Sequence, residues 1–237
     1  MSKNELQGLG AEVKNKTRFS KTLKIILSVL LITTVLLVGF TLMLFDKPEG
    51  YEPLTVSDPN EVSRHLSHYI APTLYNNLQT PEPFELVLTQ EAVSDMVARG
   101  KWPKEIGDGL TIFAPRVYFA DDVVILMSLI ELAEREMVLT VVGKAWLDEQ
   151  KLLNLNIEMI KLGSINIRRL AMSIAADIYE AKLTGDADSM DDQTKTIAEA
   201  LLLHKAIRPE FEYQENKALI TDIKIEQTRM TLTLSGR

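Results

Sequence analysis

Three patterns of hydrophobic and polar positions follow one another along the chain. An uncharged apolar run occupies residues 25–45, and charged residues return directly after it. Between about residues 61 and 100, apolar residues recur every three or four positions, which is typical of amphipathic helices. From Leu110 to Ile167 the period changes to two, the spacing of strands with distinct faces. This order predicts a membrane-type helix followed by an α+β domain.

The apolar run is long enough to cross a bilayer. From Ile25 to Phe45 it holds 21 residues without a charge, and a helix of that length rises about 30 Å, the thickness of the hydrocarbon core. A cleaved signal peptide has a shorter apolar region and small residues at its end. Here Leu42, Met43, Leu44 and Phe45 occupy that place, so we expect an uncleaved anchor.

Basic residues cluster on the N-terminal side of this run. They are Lys14, Lys16, Arg18, Lys21 and Lys24. Lysine and arginine beside a span resist translocation, so we expect a single-pass protein of the cell membrane, with its N-terminus in the cytoplasm and its C-terminal domain outside. Residues 1–24 hold six basic and two acidic residues, whereas the rest holds 20 and 31. Anionic lipid repels such an acidic body, which is therefore expected to hang away from the membrane on a tether unless an apolar surface draws it down.

The same patterns divide the chain into four parts. Residues 1–24 are a basic cytoplasmic tail and residues 25–45 the transmembrane helix. Residues 46–60 carry three prolines and a glycine, which favours an extended linker. Residues 61–237 form the extracytoplasmic α+β domain.

Within this domain, helices are predicted over 61–78, from a Thr89 cap to Gly100, and over 167–184 and 193–206. Asp58 or Asn60 is expected to cap the first helix and Asp192 the last. Strands are predicted at 84–88, 110–119, 123–132, 136–147, 151–160, 209–215, 218–226 and 228–235. Links of about three residues force antiparallel hairpins. We expect a twisted antiparallel sheet of about seven strands, packed on two or more helices. The apolar stripe of helix 167–184 should face it, through Ile167, Leu170, Ala171, Ile174 and Ile178.

One strand is apolar on both faces. Residues 123–132 carry a single charge, at Glu131, and an antiparallel strand of this kind needs a cover on each side. A helix or second sheet supplies one possible cover, and an apolar ligand supplies the other. In the second case the groove is lined by Ile125, Met127 and Leu129, or by their alternates Leu126 and Ile130.

Candidate reaction chemistry is sparse. The chain has no cysteine, hence no disulfide or thiolate metal site, and it lacks a nucleophile elbow, a Walker loop and a dinucleotide fingerprint. His65 and His68 have no third histidine nearby, and the aspartates of 186–192 fail the register of a calcium loop. The net charge of −7 disfavours nucleic acid. We therefore expect no catalytic residues, no metal and no cofactor.

The order of elements resembles a known group. An N-terminal anchor precedes a strand and capped helix at Phe84–Val97, a hairpin meander, and Leu162–Ile167 leading into a helix. Over residues 80–184 this resembles the YpmS-like anchored extracytoplasmic proteins of bacteria and is more distantly similar to the TULIP-type lipid-binding superfamily. Arg168 stands where that group often has proline. The resemblance implies a sheet wrapped around a long helix, with an acyl-chain groove.

Two functional hypotheses follow. The first is a non-enzymatic, membrane-anchored protein that binds lipid or another apolar ligand in cell-envelope maintenance. The second is a scaffolding subunit that binds an envelope protein partner. Its candidate faces are the helix 61–78 and a strand 228–235 at the sheet edge, where a partner could add a strand.

Overall fold

The structure is a computed structural model. It describes residues 3–54, 58, 61–105, 109–184 and 191–236, with the backbone alone for 3–22 and 182–184. The chain forms two compact units, Met1–Leu44 and Phe45–Arg237. The boundary places residues 46–54 of the predicted linker in the second unit.

The first unit is a single helix, α1, spanning Lys3–Leu44. Its part Leu23–Leu44 is long and apolar enough to cross a membrane, and none of these residues is buried. The hydroxyls of Thr34 and Thr41 donate to the carbonyls of Leu30 and Leu37, at 2.9 and 2.8 Å. These bonds satisfy two hydroxyl groups that would otherwise be costly in a lipid phase.

The second unit is α+β, which confirms the predicted fold class. Its helices are α2 (Ala71–Asn77, entered through a π-helical turn Leu66–Ile70), α3 (Gln90–Ala98), α4 (Arg168–Thr184) and α5 (Asp192–Leu203). Its strands are β1 (Phe84–Thr89), β2 (Lys104–Glu105), β3 (Leu110–Ile112), β4 (Arg116–Ala120), β5 (Val123–Leu132), β6 (Arg135–Leu147), β7 (Leu153–Leu162), β8 (Ile165–Asn166), β9 (Glu210–Tyr213), β10 (Asn216–Glu226) and β11 (Arg229–Gly236).

The strands form two antiparallel sheets, where the sequence predicted one. The larger has the order β2-β3-β5-β6-β7-β8, with β4 also paired to β5. The smaller has the order β1-β11-β10-β9. Strand β11 is therefore central, and the prediction of an exposed edge there is wrong. The cause is a six-residue pairing with β1, which lies far away in the sequence.

Local signals fixed several boundaries. Thr89 caps α3 by accepting from the Ala92 amide at 3.2 Å, as predicted. The cap of α5 is Asp191 rather than Asp192, with the Thr194 amide 2.8 Å from its carboxylate. At the first helix, Ser63 accepts weakly from the Leu66 amide at 3.5 Å. Asp58 instead accepts a hydrogen bond from the Glu61 amide with its backbone carbonyl oxygen. Asn60 lies outside the described residues.

The second unit has two clusters of buried residues. Buried Ile70, Leu74 and Leu78 pack on the small sheet against Leu86 and Leu234. A second cluster, formed by Val117 and Phe119 of β4 with Ile225 of β10, lies between the two sheets. Helix α3 packs against β4 at this cluster. The Ser94 hydroxyl joins these two elements, because it donates to the Val117 carbonyl at 3.0 Å and accepts from the Val117 amide at 2.9 Å.

Candidate functional site

An apolar cavity of about 340 Å³ lies between α4, α5 and strand β7. Its lining is almost entirely aliphatic. The lining residues are Ile157, Ile160, Ala171, Met172, Ala175, Ile178, Tyr179, Ala198, Leu201 and Leu202. Cavities of this size and character hold small apolar ligands in many proteins.

The floor of the cavity depends on a β-bulge. Between β6 and β7 the register shifts, so that Val142 faces Met159 but Gly143 faces Ile157. The extra residue, Glu158, puts Ile157 and Ile160 on one face although they are three positions apart. Strict alternation predicts Met159 on the same face as Ile157, and that prediction is wrong. The bulge also frees the Ile157 carbonyl, which accepts from Arg168 Nε at 2.7 Å.

Three alanines contribute to the roof of the cavity. Ala171 and Ala175 line it from α4 and Ala198 from α5, together with larger residues of both helices. Two other large residues of α4 lie away from the cavity, since Leu170 is 61% exposed and Ile174 is 49% exposed. The prediction that these two pack on the sheet is therefore wrong. Short side chains on the buried face leave space that leucine and isoleucine would have filled.

A second apolar groove of about 250 Å³ shares Ile157 and Leu201 with the cavity. Its other lining residues come mainly from the centre of the large sheet. They are Val124, Leu126, Val141, Gly143, Lys144, Ala145, Leu155 and Asn156. The shared residues make the two hollows neighbours along one face of the sheet. Together they offer an elongated apolar surface, which suits a chain better than a compact ligand.

The polar feature of the cavity is a short chain of hydrogen bonds at Tyr179. This tyrosine is buried, and its hydroxyl donates to Glu199 Oε1 at 3.1 Å. The other carboxylate oxygen of Glu199 accepts from Lys205 Nζ at 2.7 Å. The ammonium group of Lys205 lowers the pKa of Glu199, burial raises the pKa of Tyr179, and Glu199 raises the pKa of Lys205. At neutral pH the cluster is a neutral phenol, a carboxylate and an ammonium group.

This cluster predicts a pH-dependent loss of stability in the variant Glu199→Gln. Because the folded-state pKa of Glu199 lies below its ordinary value of 4.5, the charged form stabilises the folded state above that value. The contribution is lost as the pH falls through the folded-state pKa. We expect the variant to melt below the unmodified protein at pH 7, and the difference between them to be smaller at pH 3.

Thermal denaturation at the two pH values measures this difference. The control is Glu149→Gln, because Glu149 is exposed in the turn between β6 and β7. It should change the midpoint little at either pH. A Glu199→Gln deficit of equal size at both pH values would contradict the assignment.

The five residues predicted to line a groove lie on opposite faces of β5. Leu126 and Ile130 share the face that α4 and α5 cover; Leu126 lines the second groove, and Ile130 is buried. Ile125, Met127 and Leu129 lie on the other face, by alternation along the strand. All three are half-buried. Of the five residues, Leu126 alone contacts either of the two hollows described above.

The chain's own segment Phe45–Leu54, hereafter the strap, crosses this other face. Tyr118, which pairs with Ile125, donates from its hydroxyl to the Gly50 carbonyl at 2.9 Å. Arg116, which pairs with Met127, lies 3.4 Å from a carboxylate oxygen of Glu52. Burial raises the pKa of Tyr51, which forms a hydrogen bond with the Leu129 backbone. The doubly apolar strand is thus covered on this side by a segment predicted to be a free linker.

The remaining predicted residues do not assemble into a site. His65 and His68 are exposed, and the His68 ring contacts the Ser67 hydroxyl at 2.8 Å. Asp186 and Asp188 lie outside the described residues, as do the side chains of the four basic residues Lys14–Lys21. Lys24 is exposed at the start of the apolar part of α1. Among the side chains that the structure describes, no group of three His, Asp or Glu is arranged to hold a metal.

Most of the residues that line the cavity were not predicted from the sequence patterns. The alanines of α4 and α5 are the sequence feature that could have indicated the cavity. Ala171, Ala175 and Ala198 lie at helix positions beside larger apolar residues. Comparison with protein-family models, with curated proteins and with solved structures found no match to this chain.

Proposed function

We propose that this protein is a membrane-anchored, non-enzymatic binder of a lipid or another elongated apolar ligand, and that its Phe45–Arg237 unit works outside the cytoplasm in the cell envelope. The observation that carries the proposal is the cavity between α4, α5 and β7. Its aliphatic lining suits an acyl chain. The neighbouring groove at Leu126 lengthens the surface available to that chain.

The Tyr179 cluster supports an amphiphilic ligand. Tyr179 is the only one of the described lining residues of the cavity with a hydroxyl, and Lys205 is half-exposed beyond it. A polar headgroup placed there reaches water and an ammonium group, while the chain remains in the aliphatic part. We assign no reaction to the cavity, because the Tyr179 hydroxyl is committed to Glu199 and its pKa is raised rather than lowered.

The anchor and its orientation rest on the sequence around α1. The stretch Leu23–Leu44 is long and apolar enough to span a bilayer, and the basic residues Lys14–Lys24 precede it. By the positive-inside rule this orientation puts the second unit outside the cytoplasm. The resemblance to YpmS-like and TULIP-type proteins agrees with lipid binding and stays a prediction.

A photoactivatable fatty acid tests the proposal on the full chain in vesicles. After illumination, we expect labelled peptides from α4 and α5 in addition to any from α1. The variant Ala175→Trp fills the cavity and should abolish labelling of α4 and α5. The matched control, Ser173→Trp, adds the same side chain at an exposed position of α4 and should leave it intact. Labelling confined to α1 in the unmodified protein would remove the proposal.

The second candidate function is a scaffold for an envelope protein, and one observation favours it. Val62, Leu66 and Tyr69 are exposed at 61%, 38% and 43%, although their spacing of four and three residues predicts one buried stripe of a helix. The Tyr69 hydroxyl also accepts from the Val87 amide of β1, an outer strand of the small sheet, at 3.4 Å. A photo-crosslinker at Leu66 should then capture one partner in membranes.

A further inference from the structure

We infer that one end of the large sheet rests directly on the bilayer in which α1 is anchored, so that the second unit does not hang on a free tether. This inference rests on the anchor in the proposed function but not on its ligand. The end concerned, hereafter the Ser164 end, comprises the turn between β5 and β6, the turn between β7 and β8, and the start of α4. The opposite end, hereafter the Asp122 end, comprises the turns between β4 and β5 and between β6 and β7.

The first residues of the strap contact the Ser164 end of the large sheet. The guanidinium of Arg135 lies 5.7 Å from the centre of the Phe45 ring. The Ser164 hydroxyl donates to the Asp46 carboxylate, and Lys47 lies 3.9 Å from Glu136. Three consecutive residues are thus bound to the two turns of this end.

Chain continuity then limits how far this end can lie from lipid. The apolar stretch ends at Leu44, and Phe45 follows it directly. A free linker over residues 46–54 would let the second unit move away from the bilayer. These residues instead contact the large sheet. Any gap between this end and the lipid is therefore bridged by few residues, each at most about 3.6 Å long.

The exposed side chains of the Ser164 end suit an interface. Leu132 is 44% exposed at the end of β5, and Leu170 is 61% exposed in the first turn of α4. Arg135 and Arg169 are exposed beside them. Apolar side chains flanked by arginine are the composition found where proteins meet headgroups.

Charge orients the unit in the same way. The turns of the Asp122 end carry Asp121, Asp122, Asp148 and Glu149, which an anionic leaflet repels. At the Ser164 end, Asp46 and Glu136 are partnered by Ser164 and Lys47. The exposed Glu134 at the Ser164 end is accompanied by Arg135 and Arg169, whereas the Asp122 end has Lys151 against its four acidic residues. The acidity of these turns is therefore concentrated at the Asp122 end.

Two matched single-cysteine variants test this geometry, because the chain has no cysteine of its own. Glu134→Cys lies at the Ser164 end and Asp122→Cys at the Asp122 end, in the turns that flank β5. Both positions are exposed, acidic and left-handed, with φ of 62° and 64°, so that cysteine introduces the same strain and charge change. The ten residues of β5 separate them by about 30 Å.

Each variant of the full chain carries an environment-sensitive fluorophore in vesicles of phosphatidylethanolamine and phosphatidylglycerol. Lipids with a spin label on the headgroup, present in both leaflets, quench the fluorophore whichever way the protein inserts. We expect several-fold stronger quenching at position 134 than at position 122. An insertion of ~20 glycine and serine residues after Leu44, which spans about 25 Å on average, should reduce the quenching at position 134.

Equal quenching at the two positions would overturn the inference, whether or not the fatty acid labels the cavity. So would stronger quenching at position 122, or quenching at position 134 that the insertion leaves unchanged. Loss of labelling in the cavity with the quenching difference intact would remove the proposed ligand and leave this orientation standing. Failure of the chain to float with the vesicles would remove the anchor and the orientation together.

Discussion

The variant Gly236→Val is expected to be among the most destabilised single substitutions of the Phe45–Arg237 unit. A Cβ at position 236 would lie 2.5 Å from the Leu78 carbonyl oxygen and 2.6 Å from that of Thr80. Both contacts are with backbone, which cannot rotate away as a side chain can. Overpacking of this kind typically costs about 1–3 kcal/mol and sometimes more, a large share of the roughly 5–15 kcal/mol that stabilises a domain.

Urea unfolding followed by tryptophan fluorescence measures the effect. The control is Gly143→Ala, since a Cβ there would meet the Asn156 carbonyl oxygen at 3.4 Å, an ordinary contact. We expect the midpoint to fall sharply for Gly236→Val and to stay nearly level for Gly143→Ala. Similar midpoints for the two variants would mean that β11 and the end of α2 move apart easily.

Local structure was predictable wherever short links left a single solution. Strands β5, β6 and β7 begin and end within two residues of the predicted positions. Ala133 and Glu134 both adopt positive φ in the turn between β5 and β6, the conformation that two-residue hairpins need. One predicted strand was divided, because Pro115 lies between β3 and β4 and has no amide to donate.

Pairing between distant segments was not predictable from the same patterns. Strand β11 has alternating threonines, which favoured an edge, yet β1 and β10 flank it on both sides. Residues 84–89 and 229–236 are far apart in the sequence and pair only in the folded chain. The residues of neither segment indicate which strand it pairs with. The division into two sheets follows from this pairing.

The candidate site was only partly predictable from the sequence, because it too depends on contacts between distant segments. The doubly apolar strand β5 correctly indicates two covers, but not that the strap is one of them. That cover depends on contacts such as Tyr118 with Gly50, which are far apart in the sequence. The cavity depends on one extra residue in β7 and on alanines from two helices. Periodicity alone assigns the larger residues of α4 to the buried face, and it is wrong at Leu170 and Ile174.

The orientation of the chain gives the second large expected effect. A phosphatase fused after Arg237 should be active, because this enzyme works only outside the cytoplasm, and a fluorescent protein that folds only in the cytoplasm should be dark at the same position. Replacing Lys14, Lys16, Arg18, Lys21 and Lys24 with glutamine should yield a mixed population, since each of these residues resists translocation.

A matched control separates orientation from general loss of charge. Replacing Lys195, Lys205, Lys217, Lys224 and Arg229 removes five positive charges more than 150 residues from Leu44, beyond the short distance over which basic residues orient a span. The control should keep the phosphatase active and the fluorescent reporter dark. An inactive phosphatase and a bright fluorescent reporter on the unmodified chain would place the cavity in the cytoplasm. A ligand or partner from the cell envelope would then be out of reach, and both candidate functions would fall.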